Sequence, residues 1–568
     1  MTGCQRSSPC ADPVFCGLKI TDGKPQIPGL PSVTASAAEA KTLEITYEDS
    51  PAGLRITSYY TVIGDESVIL RHQKFENIGD HILKLQNVLS LSLELPAKEY
   101  DFLSLYGTHA KEAGRFRFRV HHGVQKTESV RGSSSPQHQP FFALMPSETS
   151  EEKGEVYGFH LIYSGNFLAQ TECDQFGNIR AQIGIHPETF CWELSPGETF
   201  FTPEAVLNYS GRGLNTMSQN FHTLYRRHLF PKSYAGKERP ILLNSWEGMY
   251  YDVSLEKIEE QSALARKLGM ELFVLDDGWF RAGNDSRSSM GDWICNDKKL
   301  PGGIHAAADI VRQNGLKFGL WFEPEAVSQK SGLYEKKGET FHRYILGLYD
   351  ILECLKTSYP DLLVEGCSSG GARFDPGMLY YVSQNWASDN TDAFDRTLIQ
   401  SGFSLIYPPE VIGAHVSITP NHQTGRITPL DTRYQAARLF NLGYELDLTK
   451  CTEDEKEAIR RQTEEHKEER SRLLDGTFFR HNVPNGNYVM WSVVTEDECL
   501  AVVFQKFFNP LCSHGRFRLL GLSPDADYID IKTGETYGGD ELMQIGVTVP
   551  LMKEDFHTFV IHLKRSNG

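Results

Sequence analysis

Ile241-Leu-Leu-Asn-Ser-Trp-Glu247, a helical stretch opened by Ser254, and then Glu271-Leu-Phe-Val-Leu-Asp-Asp277 set the architecture of this chain. The first and last are compact apolar runs of strand length ending in polar residues. Between them Ser254 stands as an N-cap with Glu256 in the first turn, where the helix dipole favours an acid. Leu255, Ile258, Ala265 and Leu268 recur at helical spacing, and Gly269 stops the helix. Strand, helix and strand in this order form a parallel crossover unit. Helices are expected over 304–313 and 342–355, and strands over 317–322, 362–365, 381–386, 404–407 and 443–448. With 241–246 and 271–275 that makes seven strands, one short of a closed (β/α) barrel.

Outward from this core the rhythm changes. Residues 42–47, 54–62, 67–75 and 82–93 alternate β-branched and aromatic residues at period two, the habit of half-buried antiparallel strands. Residues 131–140 have the composition of a linker. On the other side, Thr452 and Glu455 form a capping box for a charged helix reaching residue 474, with Glu457 and Arg461 spaced to pair, and short alternating strands return after residue 477. The expected fold is multidomain α/β and β. Residues 1–238 form an N-terminal β-supersandwich, 239–476 a central (β/α) TIM-type barrel lacking one strand, and 477–568 an antiparallel β-sandwich.

The composition excludes several classes of function. The 568 residues carry 57 Lys and Arg against 74 Asp and Glu, a net charge of −17 spread along the chain, which opposes binding to a nucleic-acid backbone. No run of about 18 apolar residues suits a membrane span, and the first residues lack a signal peptide's basic start and apolar core, so a cytoplasmic location is expected. Eleven cysteines, an odd number and scattered, argue against a disulfide framework. Cys4, Cys10 and Cys16 fit no zinc spacing, and His415 and His422 have no third ligand in register, so no metal is expected. The tripeptides beginning at Asn208 and Asn284 match the glycosylation sequon but carry no weight in a chain this long.

Reactive groups of a barrel sit where its strands end. There the sequence offers Trp246 and Glu247, Asp276 and Asp277, Trp321 with Glu323 and Glu325, Cys367, and Asp389 with Asp392. Carboxylates accept hydrogen bonds from hydroxyls and an indole covers the apolar face of a sugar ring, so the pattern suits a neutral polyol and the two-carboxyl chemistry of glycoside hydrolysis. The adjacent pair Asp276–Asp277 requires donors to offset its repulsion. Gly366-Cys-Ser-Ser-Gly370 also fits the nucleophile elbow of serine hydrolases, with Ser368 as nucleophile, although Ala372-Arg-Phe-Asp-Pro-Gly377 is a poor start for the helix that must follow. The other reading is a glycine-rich loop that lets backbone come close to a ligand.

Asn244-Ser-Trp-Glu247, Leu275-Asp-Asp-Gly-Trp-Phe280, Gly291-Asp-Trp293, Gly319-Leu-Trp-Phe-Glu-Pro-Glu325, the segment from Cys367 to Asp375, Ser388-Asp-Asn-Thr-Asp392 and the segment from Gly413 to Arg426 together resemble family 36 of the glycoside hydrolases, chiefly α-galactosidases. The residues around Arg131 and Ser164-Gly-Asn-Phe167 resemble the N-terminal sandwich of that family, so the linker reading yields there. The resemblance implies retaining hydrolysis of terminal α-galactosides, as in galacto-oligosaccharides, by an enzyme that needs no metal or organic cofactor and often assembles as a homo-oligomer. It places Asp389 as general acid/base, Asp276 and Asp277 on galactose hydroxyls, Trp321 against the sugar, and Cys367 and Gly370 in the loop beside the ring.

The departures are specific. That family's nucleophile is the Asp of a Lys-Trp-Asp-x-Asn strand between the Trp321 and Cys367 strands, and no such sequence occurs here. Ser331-Gly-Leu-Tyr-Glu-Lys-Lys337 runs directly into Gly338-Glu-Thr-Phe-His-Arg343, so several dozen residues, including a substrate-binding Arg, are missing. This accounts for the eighth strand. An Asp contributed by the start of the family's N-terminal domain is missing too, and His109 replaces a Trp in a Gly-x-Trp-x-x-Glu segment. The chain thus reads as an incomplete gene model or an inactive relative. The rivals are a galactoside-binding protein without turnover, a substitute nucleophile such as Glu323 or Glu365, and the serine hydrolase.

Overall fold

The computed structural model describes residues 11–280, 293–323, 325, 341–483, 486–510 and 515–566. Cys4, Cys10, the Asn284 sequon, Gly291 and the 331–338 junction lie outside them. The first region is antiparallel. A ten-stranded sheet runs in the order Val14–Asp22, Ala40–Asp49, Leu54–Ile63, Val68–Asn77, Glu204–Ser210, Val156–Ile162, His138–Met145, Asp101–Thr108 and Lys111–Arg119, with Thr199–Phe201 joined to Val68–Asn77. A second sheet orders Leu89–Leu95, Ile179–Ile185, Phe167–Cys173 and Gly123–Ser129. Phe142, Phe159, Phe167 and Ile183 are fully buried in the hydrophobic core. The alternation in the sequence is thus the alternation of a covered and an open sheet face.

The strand expected over 82–93 is two strands, Leu83–Leu85 and Leu89–Leu95. They pair with different partners, Trp192–Leu194 and Ile179–Ile185, so one alternating run serves two sheets. The linker composition of residues 131–140 is likewise misleading. Ser134 donates to Asp375 of the barrel at 2.7 Å, and His138 already begins the next strand.

The central region is a curled parallel sheet of seven strands, ordered Lys317–Leu320, Leu272–Leu275, Leu242–Asn244, Asn441–Glu445, Ile412–Ser417, Gln384–Trp386 and Glu365–Gly366. The number agrees with the sequence reading, but the membership differs. Residues 404–407 are no strand. They continue the Ala393–Phe403 helix as a tight turn, with Ile406 and Tyr407 donating backbone N–H groups to Phe403. A short buried apolar run does not reveal its own secondary structure, which is why this one misleads. The strand at that place is Ile412–Ser417, in the segment singled out for its histidine.

The two strands flanking the missing segment in sequence, Lys317–Leu320 and Glu365–Gly366, are the two edges of the sheet. Ser254 caps the Leu255–Lys267 helix by accepting from Lys257 N, and the Thr452–Glu455 capping box opens Glu453–Asp475. In that helix Glu457 pairs with Arg460 rather than Arg461. After it comes a six-stranded sheet from Thr477–Arg480 to His557–Arg565, with a two-stranded one of Gly515–Phe517 and Val547–Val549. Among the described residues no helix is long and apolar enough to cross a membrane.

Candidate active site

Strand ends deliver the acidic groups. Leu272–Leu275 carries Asp276, whose carboxylate accepts from Asn244 Nδ2 at 2.6 Å and from Asp277 N at 2.7 Å. Asp277 Oδ1 accepts from Gly278 N at 2.6 Å. These donors offset the repulsion between the two neighbours. Burial pushes the Asp276 carboxyl up to about 6, opposed by Asn244 and helped by the charges of Asp277 and Asp389. Glu365 is pushed up to about 7, again by burial, while Gln384 donates to it at 2.6 Å. Glu445 lies well above the usual carboxylate range for the same reason, and His415 Nδ1 is 2.8 Å from it.

One cation sits among these acids. Arg396 is buried, donates to Ser388 O at 3.1 Å, to Gln400 Oε1 at 3.0 Å and to Gly413 O, and stacks 4.6 Å from the centre of the Trp386 ring. Burial lowers it to about 10, so it remains charged at neutral pH. Sequence reasoning missed Arg396 and Glu445, because nothing in local periodicity marks a residue that matters through distant partners.

Trp321 is half-buried beside Asp276: its backbone N–H donates to Leu275 O, and its ring lies 6.1 Å from that of Trp293 and 6.5 Å from that of Phe280. Burial raises the Cys367 thiol well above its ordinary value, with Asp389 and Asp276 adding to the effect, so the thiol stays neutral. Gly370 is required on two counts. Its φ is +79°, and a Cβ there would stand 2.8 Å from both Asp389 N and Glu112 Oε1. The structure therefore brings Asp276, Cys367, Gly370 and Asp389 together, with Trp321 beside Asp276.

Asp392 behaves differently from Asp389. It caps the Ala393–Phe403 helix through Phe394 N and Asp395 N and pairs with Arg426, so it is structural. Among the described residues no histidine hydrogen-bonds to the Ser368 hydroxyl. That hydroxyl donates to Glu323 at 3.4 Å, and the residues with positive φ in the loop are Ser369 and Gly370, not Ser368. His415 and His422 go to different carboxylates, Glu445 and Glu247, and no group of metal-ligating side chains exists among the described residues.

Asp389 is held from outside the barrel. The hairpin joining Asp101–Thr108 to Lys111–Arg119 reaches over the mouth and meets three consecutive residues. Ser388 Oγ donates to Glu112, His109 Nε2 donates to Asp389 Oδ2 at 2.8 Å, and Asn390 Nδ2 donates to Ala110 O at 3.1 Å. Gly402 completes the contact, since a Cβ there would lie 1.8 Å from Ala113 O.

Three family profiles tile the chain: glycosyl hydrolase family 36 N-terminal domain over residues 5–195, melibiase over 199–339 and again over 334–476, and glycosyl hydrolase family 36 C-terminal domain over 488–563. The melibiase match comes in two pieces that meet at 334–339, where the sequence lacks its strand. Alpha-galactosidase AgaA of Geobacillus stearothermophilus is 42% identical over 619 residues, covering 96% of this chain and 85% of the relative. Since 96% of 568 residues is about 545, some 70 positions of that span have no counterpart here. Alpha-galactosidase Mel36A of Lactobacillus acidophilus is 39% identical, covering 97% of this chain and 85% of the relative. The crystal structure of AgaA superposes with a TM-score of 0.96 at 41% identity, covering 99% of this chain and 88% of that one, and variants of AgaA have been crystallised with raffinose and with stachyose.

Proposed function

The chain belongs to glycosyl hydrolase family 36, a family in which its relatives are α-galactosidases, and from that premise we propose that its barrel mouth is an α-galactosidase site for the terminal α-galactosyl unit of oligosaccharides such as raffinose and stachyose, with Asp389 as general acid/base. Asp276 and Asp277 take the hydroxyls of the ring, Trp321 covers its apolar face, and the Cys367–Gly370 loop borders it. The observation that carries the reading is that the Gly370 backbone packs on Asp389, leaving no room for a Cβ, at the same end of the parallel sheet where Asp276 leaves its strand.

Retaining hydrolysis has two steps. A carboxylate displaces the leaving group, which the acid/base protonates, and water then releases the sugar. The 568-residue sequence carries no Asp in the strand where this family places the nucleophile. Glu365 is a poor substitute, because a carboxyl held near 7 is largely protonated below that pH. We infer that the chain as written recognises an α-galactosyl group without turning it over, and that the complete enzyme hydrolyses it.

Hydrolysis of a chromogenic α-galactoside by the chain and by Asp389→Asn, beside calorimetric binding of raffinose, tests this. Binding without hydrolysis in either protein is expected. Hydrolysis that vanishes in Asp389→Asn would mean that another carboxylate serves as nucleophile, and a folded chain that neither binds nor cleaves would refute the assignment of the cleft.

A further inference from the structure

Asp389 is the best-placed proton donor of the cleft, yet its nearest recorded side-chain partner is an imidazole from another part of the chain. A carboxylate and an imidazole 2.8 Å apart can pass a proton along the hydrogen bond between them. The hairpin tip that presents His109 is tightly fixed. Ala110 and Ala113 have φ of 65° and 54°, a region that residues with a side chain occupy only when their surroundings impose it. Those surroundings are the contacts to Ser388 and Asn390 and the close approach to Gly402. The His109 side chain is itself exposed, and what places it on Asp389 is the fixed backbone of the hairpin tip.

We propose that His109 is a positioning residue that governs the proton of Asp389: it holds Oδ2 through its Nε2–H, leaves Oδ1 to face the sugar, and keeps the pair's proton on the imidazole until a galactoside engages Asp389. This rests on the reading of Asp389 given above. The bond to Asp389 raises the titration of His109 above its ordinary value, against the opposing effect of burial, and Glu112 on the same hairpin adds to it. Among the described residues the other charged or titratable groups around Asp389 are Asp276 at one strand end, Cys367 in the neighbouring loop, Glu445 on another strand, and Arg396 on the helix that follows. Among these Arg396 is the cation, and its recorded hydrogen bonds go to Ser388, Gly413 and Gln400 rather than to the Asp389 carboxylate. His109 is thus the group from which a proton reaches that carboxylate directly.

Histidine NMR and calorimetry on the whole chain test the inference. In the wild type the His109 ring should titrate above the ordinary 6.5, its titration should fall in Asp389→Asn, and raffinose should displace it. Raffinose affinity should vary with pH, by up to about tenfold per unit where one proton is linked. His109→Gln, which keeps a donor but cannot titrate, should still bind while losing the part of that variation linked to the imidazole. Asp276, raised to about 6, contributes its own pH dependence in both proteins, so a His109 titration unaltered by Asp389→Asn, or a pH dependence of binding identical in wild type and His109→Gln, overturns the proposal. Loss of raffinose binding at every pH would instead refute the assignment of the cleft, and the titration in Asp389→Asn would still decide whether the pair exists.

Discussion

The two sides of the curled sheet differ in a way that bears on the chemistry. On one side Ile412–Ser417 and Asn441–Glu445 are buried at every residue and paired on both edges, and their polar groups are matched by Arg396 and His415. On the other, Lys317–Leu320 begins with an exposed residue, Glu365–Gly366 is only two residues long, and among the described residues neither has a second strand neighbour. Phe322 and Leu362, near these edges, are 50% and 49% exposed. A parallel sheet is built to be covered and closed, so the side that keeps its neighbours can hold buried charge while the side that lost one leaves apolar surface in water. In the proposed reading Asp389, the acid/base, follows Gln384–Trp386, between the two sides, and the strand of the nucleophile belongs at the interrupted one.

The contrast can be broken most directly by mending the interrupted side. Grafting the segment that AgaA carries between the matching strands into the Lys336–Gly338 junction should raise α-galactoside hydrolysis by about ten-thousandfold or more, the scale on which a missing nucleophile is felt. A graft that folds without gaining activity would show that the loss is not confined to that strand. The intact side can be broken by Arg396→Met, which leaves Glu445 and its neighbours uncompensated. Denaturation should show about 3–5 kcal/mol of lost stability, the usual cost of removing one partner from a buried charge cluster.

Asp276→Asn sharpens the comparison through pH. The folded protein holds a proton on Asp276 that the unfolded chain releases, because the carboxyl is raised from 3.8 to about 6. The stability contributed by this group is therefore complete at low pH and is lost as pH rises through that window. The variant cannot ionise there, so relative to wild type it should gain about 1–3 kcal/mol between pH 4 and pH 7 while losing galactoside affinity. Unfolding midpoints across that range check the sign. The smallest effect belongs to the open edge: Lys317→Ala, at an exposed position, should change stability by no more than about 0.5 kcal/mol.

Much of this was legible in the sequence, and the failures have physical causes. The helix from Ser254 to Gly269 and the strand before Asp276 follow from local rules of capping and burial, and the structure reproduces both within a residue or two. The strand count stands one short of a closed barrel, the family resemblance locates the gap between the Trp321 and Cys367 strands, and the sheet order places its two edges there. Residues 404–407 misled because burial alone makes a segment apolar, and Ile412–Ser417 was overlooked because its histidine drew attention to ligation. The hold on Asp389 could not be read at all. His109 lies 280 residues away in sequence, and only the resemblance marked its position as unusual.

The close approach of Gly402 to Ala113 has a consequence for inheritance and engineering. The crossing leaves no room for a side chain, so the first sandwich and the barrel cannot be exchanged with those of a relative unless both halves of this contact travel together. A fragment cut at the barrel's start would carry Asp389 without the hairpin that orients it. The unit that can be transplanted with its chemistry intact is therefore larger than the unit that folds around the parallel sheet, and it reaches back to the strand beginning at Asp101.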